Sequence, residues 1–439
     1  MHIALVQQKH KEIAPMQSLK LQRTMMIAAA SAGNALEFYD FFVYGFFALG
    51  LGETFFPSRN VTSRLLLTFG VFGISFFARP VGALILGAYA DAKGRSACMI
   101  LTVVIMTTAI FTMAVLPGYS RIGFFAPLGV LLARLMQGFA LGGEFGSSTA
   151  LMIEHSDGAE TEAATWQGVS QNLSGLLAAG IAWMLLEKGN LVFGLQPFRI
   201  AFFIGALGGL GALLLRRRIG DAPAFFEQRN AQRNPPLVVV TNVAIAAGMV
   251  AIGTAQAYLI LYLPTYGKTQ LGLQVNRTLG MVCLLYGILL LLTPLRLAIA
   301  RRFDQSHRSR YMLYSCLSMA IVAYPTFYLL KLWPSNSTLF MLSLVFTLLS
   351  LPYNAPLNGF MGLVFSVRER GMGLSIGYAL GIAVFGGSAP FIFTLLISAT
   401  NNPQSPALYL MVAAFITLAA ILAARWRLRQ YKIKKDEFA

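Results

Sequence analysis

Long apolar stretches alternate with short polar ones along the chain, recurring near 25–50, 64–90, 97–116, 122–152, 163–186, 198–215, 238–263, 277–299, 310–330, 338–366, 372–399 and 405–427. A helix needs roughly 20 apolar residues to cross a bilayer, so the spacing predicts an all-α membrane protein with twelve spans. Pro352, Pro356 and Pro390 interrupt the tenth and eleventh segments. Around Tyr353 and Asn354 they predict either a broken helix that turns backbone carbonyls into a cavity or a simple kink. The longest polar interruption, 216–237, falls midway and separates six spans from six. The expected organisation is therefore a tail at 1–24, a six-helix bundle at 25–215, a linker at 216–237, a second six-helix bundle at 238–427 and a tail at 428–439.

Polar residues inside the apolar segments break the pattern where chemistry is expected. In the first segment Asn34, Glu37, Asp40 and Tyr44 fall, at 100° per residue, on about a third of the helix circumference. Carboxylates at membrane depth are costly and persist where water, a partner or a proton neutralises them. The bland alternative is a pair of acids reaching for an interface. Two cations lie equally deep. Arg79 stands twelve residues before Asp91, about 18 Å into the membrane at 1.5 Å per residue, and Arg134 sits well inside the fourth segment. Buried guanidinium groups need an anion, and the candidates are Glu37, Asp40, Glu144 or a substrate.

Composition agrees with the pattern. Of the 439 residues 56% are hydrophobic and only 12% charged, and the mean hydropathy of +0.65 excludes an ordinary soluble domain. The formal charge of +17 could suggest nucleic acid, but the basic residues are spread through short loops and tails with no basic domain. Of the 34 Lys and Arg, 24 fall in segments on the same side as the termini and 8 on the other, so both termini are expected in the cytoplasm. The loop from Glu154 to Glu162, with four acids and no base, is a local exception. Met1 to Thr24 carries no cleavable signal pattern. Cys98, Cys283 and Cys316 are far apart and read as small buried hydrophobes; no metal or other cofactor is implied. No polar segment exceeds about 25 residues, which leaves no room for a catalytic or signalling module.

A short repeat spans the two halves. Gly87, Asp91, Gly94 and Arg95 follow the second segment, and Ala300, Asp304, His307 and Arg308 stand at the same offsets after the eighth. With the Gly-x-x-x-Asp-x-x-Gly-Arg pattern complete at 87–95, the chain resembles the major facilitator superfamily. Within it, GNALEFYDFFVYG (33–45), ARPVGALILGAYAD (78–91), RLMQGFALGGEFG (134–146), the 222–225 region and LSIGYALGIAVFGGSAPF (374–391) are similar to the metabolite:proton symporters, which carry proline or betaine, oxoglutarate, shikimate, citrate or tricarballylate. Two positions depart from that pattern: Ala379 replaces an Asn after Tyr378, and Leu363 stands where an acid is expected.

The resemblance implies two pseudo-symmetric six-helix bundles that alternate access to a central cavity. It implies proton-coupled uptake of a small organic solute across a bacterial-type cytoplasmic membrane, and a monomer is expected. Asp40 is expected to carry the proton with Arg134 as partner, as in sugar–proton symporters of the superfamily, and Glu37 and Glu144 are further candidates. Arg79 is either a bidentate anchor for a substrate carboxylate or one end of a helix-to-helix ion pair. Asn34, Tyr44, Gln137, Gln167, Gln256, Tyr262, Asn354 and Tyr378 are candidate substrate ligands, with Tyr258, Tyr353 and Asn358 as further hydrogen-bonding groups. Glutamines in spans serve equally well as interhelical glue. Gly87, Asp91, Gly94, Arg95, Asp304 and Arg308 are expected to gate by holding the bundles shut, and His155 and His307 read as loop histidines.

The glycines at 138, 142 and 146, and at 373, 377 and 381, are expected packing faces. The two cations at depth favour an organic acid anion such as a di- or tricarboxylate. A zwitterion of the proline or betaine type is the alternative, with Glu37 meeting its cation, although the short C-terminal tail has no room for the coiled coil of osmosensing relatives. A drug exporter is a weaker fit, because the fifth segment, Trp166 to Leu186, lacks the Gly-Pro pair of superfamily antiporters.

Overall fold

The computed structural model describes residues 34–154, 160–189, 191–216, 236–302, 305–365 and 370–437. Its helices are α1 (Asn34–Phe46), α2 (Ala48–Phe55), α3 (Val61–Lys93), α4 (Arg95–Val115), α5 (Tyr119–Ile122), α6 (Phe125–Glu154), α7 (Glu160–Glu187) and α8 (Pro197–Arg216) in the first half. The second half holds α9 (Pro236–Met249), α10 (Ala251–Leu271), α11 (Val275–Leu291), α12 (Thr293–Arg302), α13 (Gln305–Leu332), α14 (Asn336–Asn354), α15 (Leu357–Gly362), α16 (Arg370–Gly381), α17 (Ala389–Thr400) and α18 (Pro406–Glu437).

Nine of the described helical stretches are long and apolar enough to cross a membrane, and the bent pairs α1–α2 and α9–α10 add two more. The apolar α11 is seventeen residues, and α12 extends the same segment after a one-residue break. Together these account for the twelve apolar segments. The first extends further than the pattern suggests: a 70° bend at Phe47 lets α2 carry it to Phe55 rather than stopping near 50.

Lipid offers the backbone no hydrogen bonds, so polar side chains inside the spans must be satisfied internally. Thr68, Thr108, Thr254 and Thr326 donate to carbonyls one turn back, which hides their hydroxyls within their own helices. Asn60 and Ser335 instead cap α3 and α14, their side chains accepting from Thr62 and Thr338 backbone N–H groups.

Three glycines set the closest helix contact, Gly82 on α3 and Gly138 and Gly142 on α6. A Cβ at Gly138 would lie 1.8 Å from the Ser75 carbonyl oxygen, and one at Gly142 would lie 2.0 Å from that of Arg79, so α3 and α6 meet backbone to backbone. This approach holds Arg79 and Arg134 in one layer of the first half. The turn between α3 and α4 needs Gly94, whose φ of +96° few side chains tolerate. Gly87, by contrast, has open space where a Cβ would be, so it makes no close helix approach here.

The end of the bundle where α8 stops at Arg216 and α9 starts is here termed the linker end. Toward the opposite end the two halves are sealed by rings. Phe69 meets Tyr262 at 5.5 Å, Phe76 meets Tyr258 edge-on at 5.5 Å, and Phe42 meets Tyr286 at 5.3 Å.

The tenth span passes through Pro352, stops at Asn354 and resumes at Leu357, so the interruption is two residues within one span. In the eleventh, one π-helical turn, Ile382–Gly387, joins α16 to α17. The Tyr409 hydroxyl donates to the carbonyls of Phe385 at 3.0 Å and Val384 at 3.3 Å, serving oxygens that the wider turn frees. Periodicity carries no trace of this π turn, because a single extra residue leaves the apolar run unbroken.

Candidate functional site

The polar stripe of α1 faces several neighbours. Asn34 donates to Ser170 Oγ on α7 at 2.6 Å, and the Tyr44 hydroxyl donates to the Thr68 carbonyl on α3 at 2.9 Å. Asp40 turns to α6, where Arg134 Nη1 donates to its Oδ2 at 2.8 Å, and neither side chain has any exposed surface. The pairing is single. Asp40 Oδ1 and Arg134 Nε and Nη2 have no hydrogen-bond partner, and the guanidinium instead covers the Tyr44 ring at 4.0 Å. Gln137, one turn along α6 from Arg134, is fully buried, and both ends of its amide are unpaired.

Arg79 occupies a second aromatic pocket. Its guanidinium lies 4.2 Å from the Phe76 ring centre and 5.1 Å from that of Phe41, with Nε and Nη2 unpaired. Pro80 follows it directly in α3. Tyr258 and Tyr378, from the second half, are within electrostatic reach of both Arg79 and Glu37.

Next to this pocket is a cavity of about 190 Å³ between the halves. The first half contributes Phe38, Phe42, Gly168, Gln171 and Asn172, and the second contributes Gln256, Tyr258, Tyr286, Arg296, Asn354 and Tyr378 among others. Its wall mixes aromatic and aliphatic side chains with a few amides and hydroxyls, which suits a small solute whose position is fixed by a few polar contacts.

Of the expected ligands, Gln256, Asn354 and Tyr378 line the cavity and Arg79 stands behind two of its tyrosines. Tyr44 and Tyr262 do not line it: their hydroxyls are engaged with Thr68 and Thr394. Asn34, too, is held at Ser170, outside the cavity wall. The side chains of Glu144, Gln167, Asp91, Arg95, His307, Arg308 and Asn358 lie outside the described residues, as do His155, Asp304, the N-terminal tail and the 222–225 region.

One position needs correction. Arg296, one of the 24 Lys and Arg counted on the side of the termini, lines the cavity. The segment 277–299 already contains it, but Pro294 two residues earlier makes it look like a helix end. Gln171 and Tyr286 were also missed. Gln171 follows Gln167 at a spacing of four, a same-face signal visible in the sequence.

Comparison with known proteins agrees with this architecture. The sequence profile of the Major Facilitator Superfamily matches residues 30–381. A citrate-proton symporter of Salmonella typhi is 34% identical over 405 residues, covering 90% of this chain and 92% of that protein. A putative proline/betaine transporter of Staphylococcus aureus is 28% identical over 413 residues, covering 90% and 86%. Among solved structures, a D-xylose-proton symporter superposes with a TM-score of 0.73 at 17% identity, covering 91% of this chain and 97% of that one.

Proposed function

The chain belongs to the Major Facilitator Superfamily and, within it, to the metabolite:proton symporters, and from that premise we propose that it takes up a small organic acid anion, such as a di- or tricarboxylate, together with protons. It is a multi-span membrane transporter and not an enzyme. The observation that carries the coupling is the sealed Asp40–Arg134 contact, 2.8 Å long and without exposed surface.

Burial disfavours the charged form of Asp40, while Arg134 favours it. A carboxylate poised between these effects changes its proton occupancy when its guanidinium moves. The single hydrogen bond and the unpaired Oδ1, Nε and Nη2 leave the pair short of full compensation, and opening it is costly unless a proton neutralises Asp40 as Arg134 leaves. In this reading Asp40 binds a proton as Arg134 swings away and releases it when the pair re-forms. Glu37 is the secondary acid, and Gln137, buried with both amide ends unpaired, remains a candidate ligand. Glu144 remains a candidate for the same pathway.

Arg79 supports the anion. Its fork has two unpaired donor nitrogens beside the cavity tyrosines, which favours recognition of a carboxylate over a structural ion pair. Gln256, Asn354 and Tyr378 supply neutral hydrogen bonds from the second half. The units 25–215 and 238–427 are the two rocking bundles, the 216–237 linker joins them, and the tails at 1–24 and 428–439 are cytoplasmic. Gly87, Asp91, Gly94, Arg95, Asp304 and Arg308 are assigned to the gate that holds the bundles shut. The working unit is one chain in the cytoplasmic membrane.

Symport of a zwitterion is the second reading, favoured by Glu37 near Tyr258 and Tyr378 and by the proline/betaine relative. Proteoliposomes separate the two. An inward acid gradient should drive accumulation of a labelled tricarboxylate in preference to betaine, and expulsion of solute under that gradient would overturn uptake.

A further inference from the structure

Arg296 is the charged group in the cavity wall, and among the described residues it meets no carboxylate. Among the described residues its Nη2 reaches the Asn354 carbonyl, at 3.5 Å, the outer limit of a hydrogen bond. That carbonyl lies at the interruption of the tenth span, so the contact follows from the break before Pro356. The guanidinium crosses to the first half, where Gly168 leaves it room: a Cβ there would stand 2.6 Å from Arg296 Nη1. Tyr378 lies within electrostatic reach of both Arg296 and Arg79. One tyrosine thus lies near two guanidinium groups from different halves; Arg79 has two nitrogens unpaired, and Arg296 has the long contact to Asn354.

A cation held beside apolar walls without a counter-ion is costly unless an anion arrives. We infer that Arg296 is a specificity-determining anchor for a second carboxylate of the substrate, making this cavity selective for solutes with two or more carboxylates. The inference rests on the organic-anion reading above and sharpens it. Arg79 and Arg296 would hold opposite ends of one polyanion, so monocarboxylates and zwitterions would satisfy only one of them. Because the two arginines belong to different halves, a substrate bound to both also draws the halves together.

The test is calorimetric titration of the purified full chain with citrate, succinate, acetate and glycine betaine. The wild type should bind citrate and succinate more tightly than acetate. Arg296→Gln should weaken citrate and succinate by about tenfold or more, the loss expected for a hydrogen bond to a charged group, and acetate by much less. Gly168→Ala keeps the charge but crowds the guanidinium, and should give the same selective loss in smaller measure. Should Arg296→Gln fail to fold, Gly168→Ala decides the matter alone. Equal losses for citrate and acetate, or none for either, overturn the role of Arg296 while leaving anion transport standing. Wild-type protein that binds betaine and no carboxylate overturns both.

Discussion

The two halves of the molecule bury different chemistry. Every charged side chain among the buried described residues, namely Glu37, Asp40, Arg79 and Arg134, belongs to the first half. The second half answers with neutral groups, including Gln256, Tyr258, Tyr262 and Tyr353, and its cavity cation Arg296 is only partly buried. Charge responds to a proton and neutral amides do not, so coupling should depend on the first half while the second shapes what binds. Close backbone packing of α3 on α6 suits the first role, because it fixes the two helices that carry Arg79 and Arg134. The interruption at 355–356 and the π turn at 382–387 suit the second, since each frees carbonyls and admits rearrangement.

This contrast can be broken in four places. The largest effect should come from Asp40→Asn, which removes the titrating group: acid-driven accumulation in proteoliposomes should vanish while exchange of solute for solute remains measurable. Accumulation that survives would move the coupling elsewhere. Next is Arg134→Gln, which leaves a buried carboxylate without its partner. A loss of about 3–5 kcal/mol is expected, read as a large fall in the thermal midpoint. The double variant with Asp40→Asn should recover part of that loss, because no unpaired charge remains.

Arg79→Lys should follow, with carboxylate affinity falling about tenfold as the planar fork is lost and a neutral analogue affected less. Equal losses for both ligands would make Arg79 structural. The smallest effect belongs to the second half: Tyr378→Phe should lower affinity only a few-fold, matching the roughly 0.5–1.5 kcal/mol of one neutral hydrogen bond. If Tyr378→Phe instead abolished coupling, the division of labour between the halves would be wrong.

Much of this was legible before any coordinates. Apolar runs of bilayer length fixed the helices, because lipid leaves the backbone few other ways to satisfy its hydrogen bonds. Asp40, Arg79 and Arg134 stood out because charge at that depth is rare. Tyr262 illustrates the limit. Its hydroxyl is a plausible ligand by residue type, yet it meets Thr394 behind the Phe69 seal. Arg296 illustrates the opposite failure, since a residue near an apparent helix end looks solvated until the neighbouring helices enclose it.

The sequence alone therefore determined the class, the number of spans and the residues whose charge is out of place, all of which follow from the free energy of moving single groups from water to oil. Which of those groups meet was decided only by packing. Asp40 and Arg134 are 94 residues apart, and no periodicity within one helix says that α6 will turn that face to α1. Likewise the space that Gly168 leaves for Arg296 exists because two helices from different halves lie side by side. Local pattern reports what each residue would prefer as its surroundings, and long-range contact alone settles what it gets.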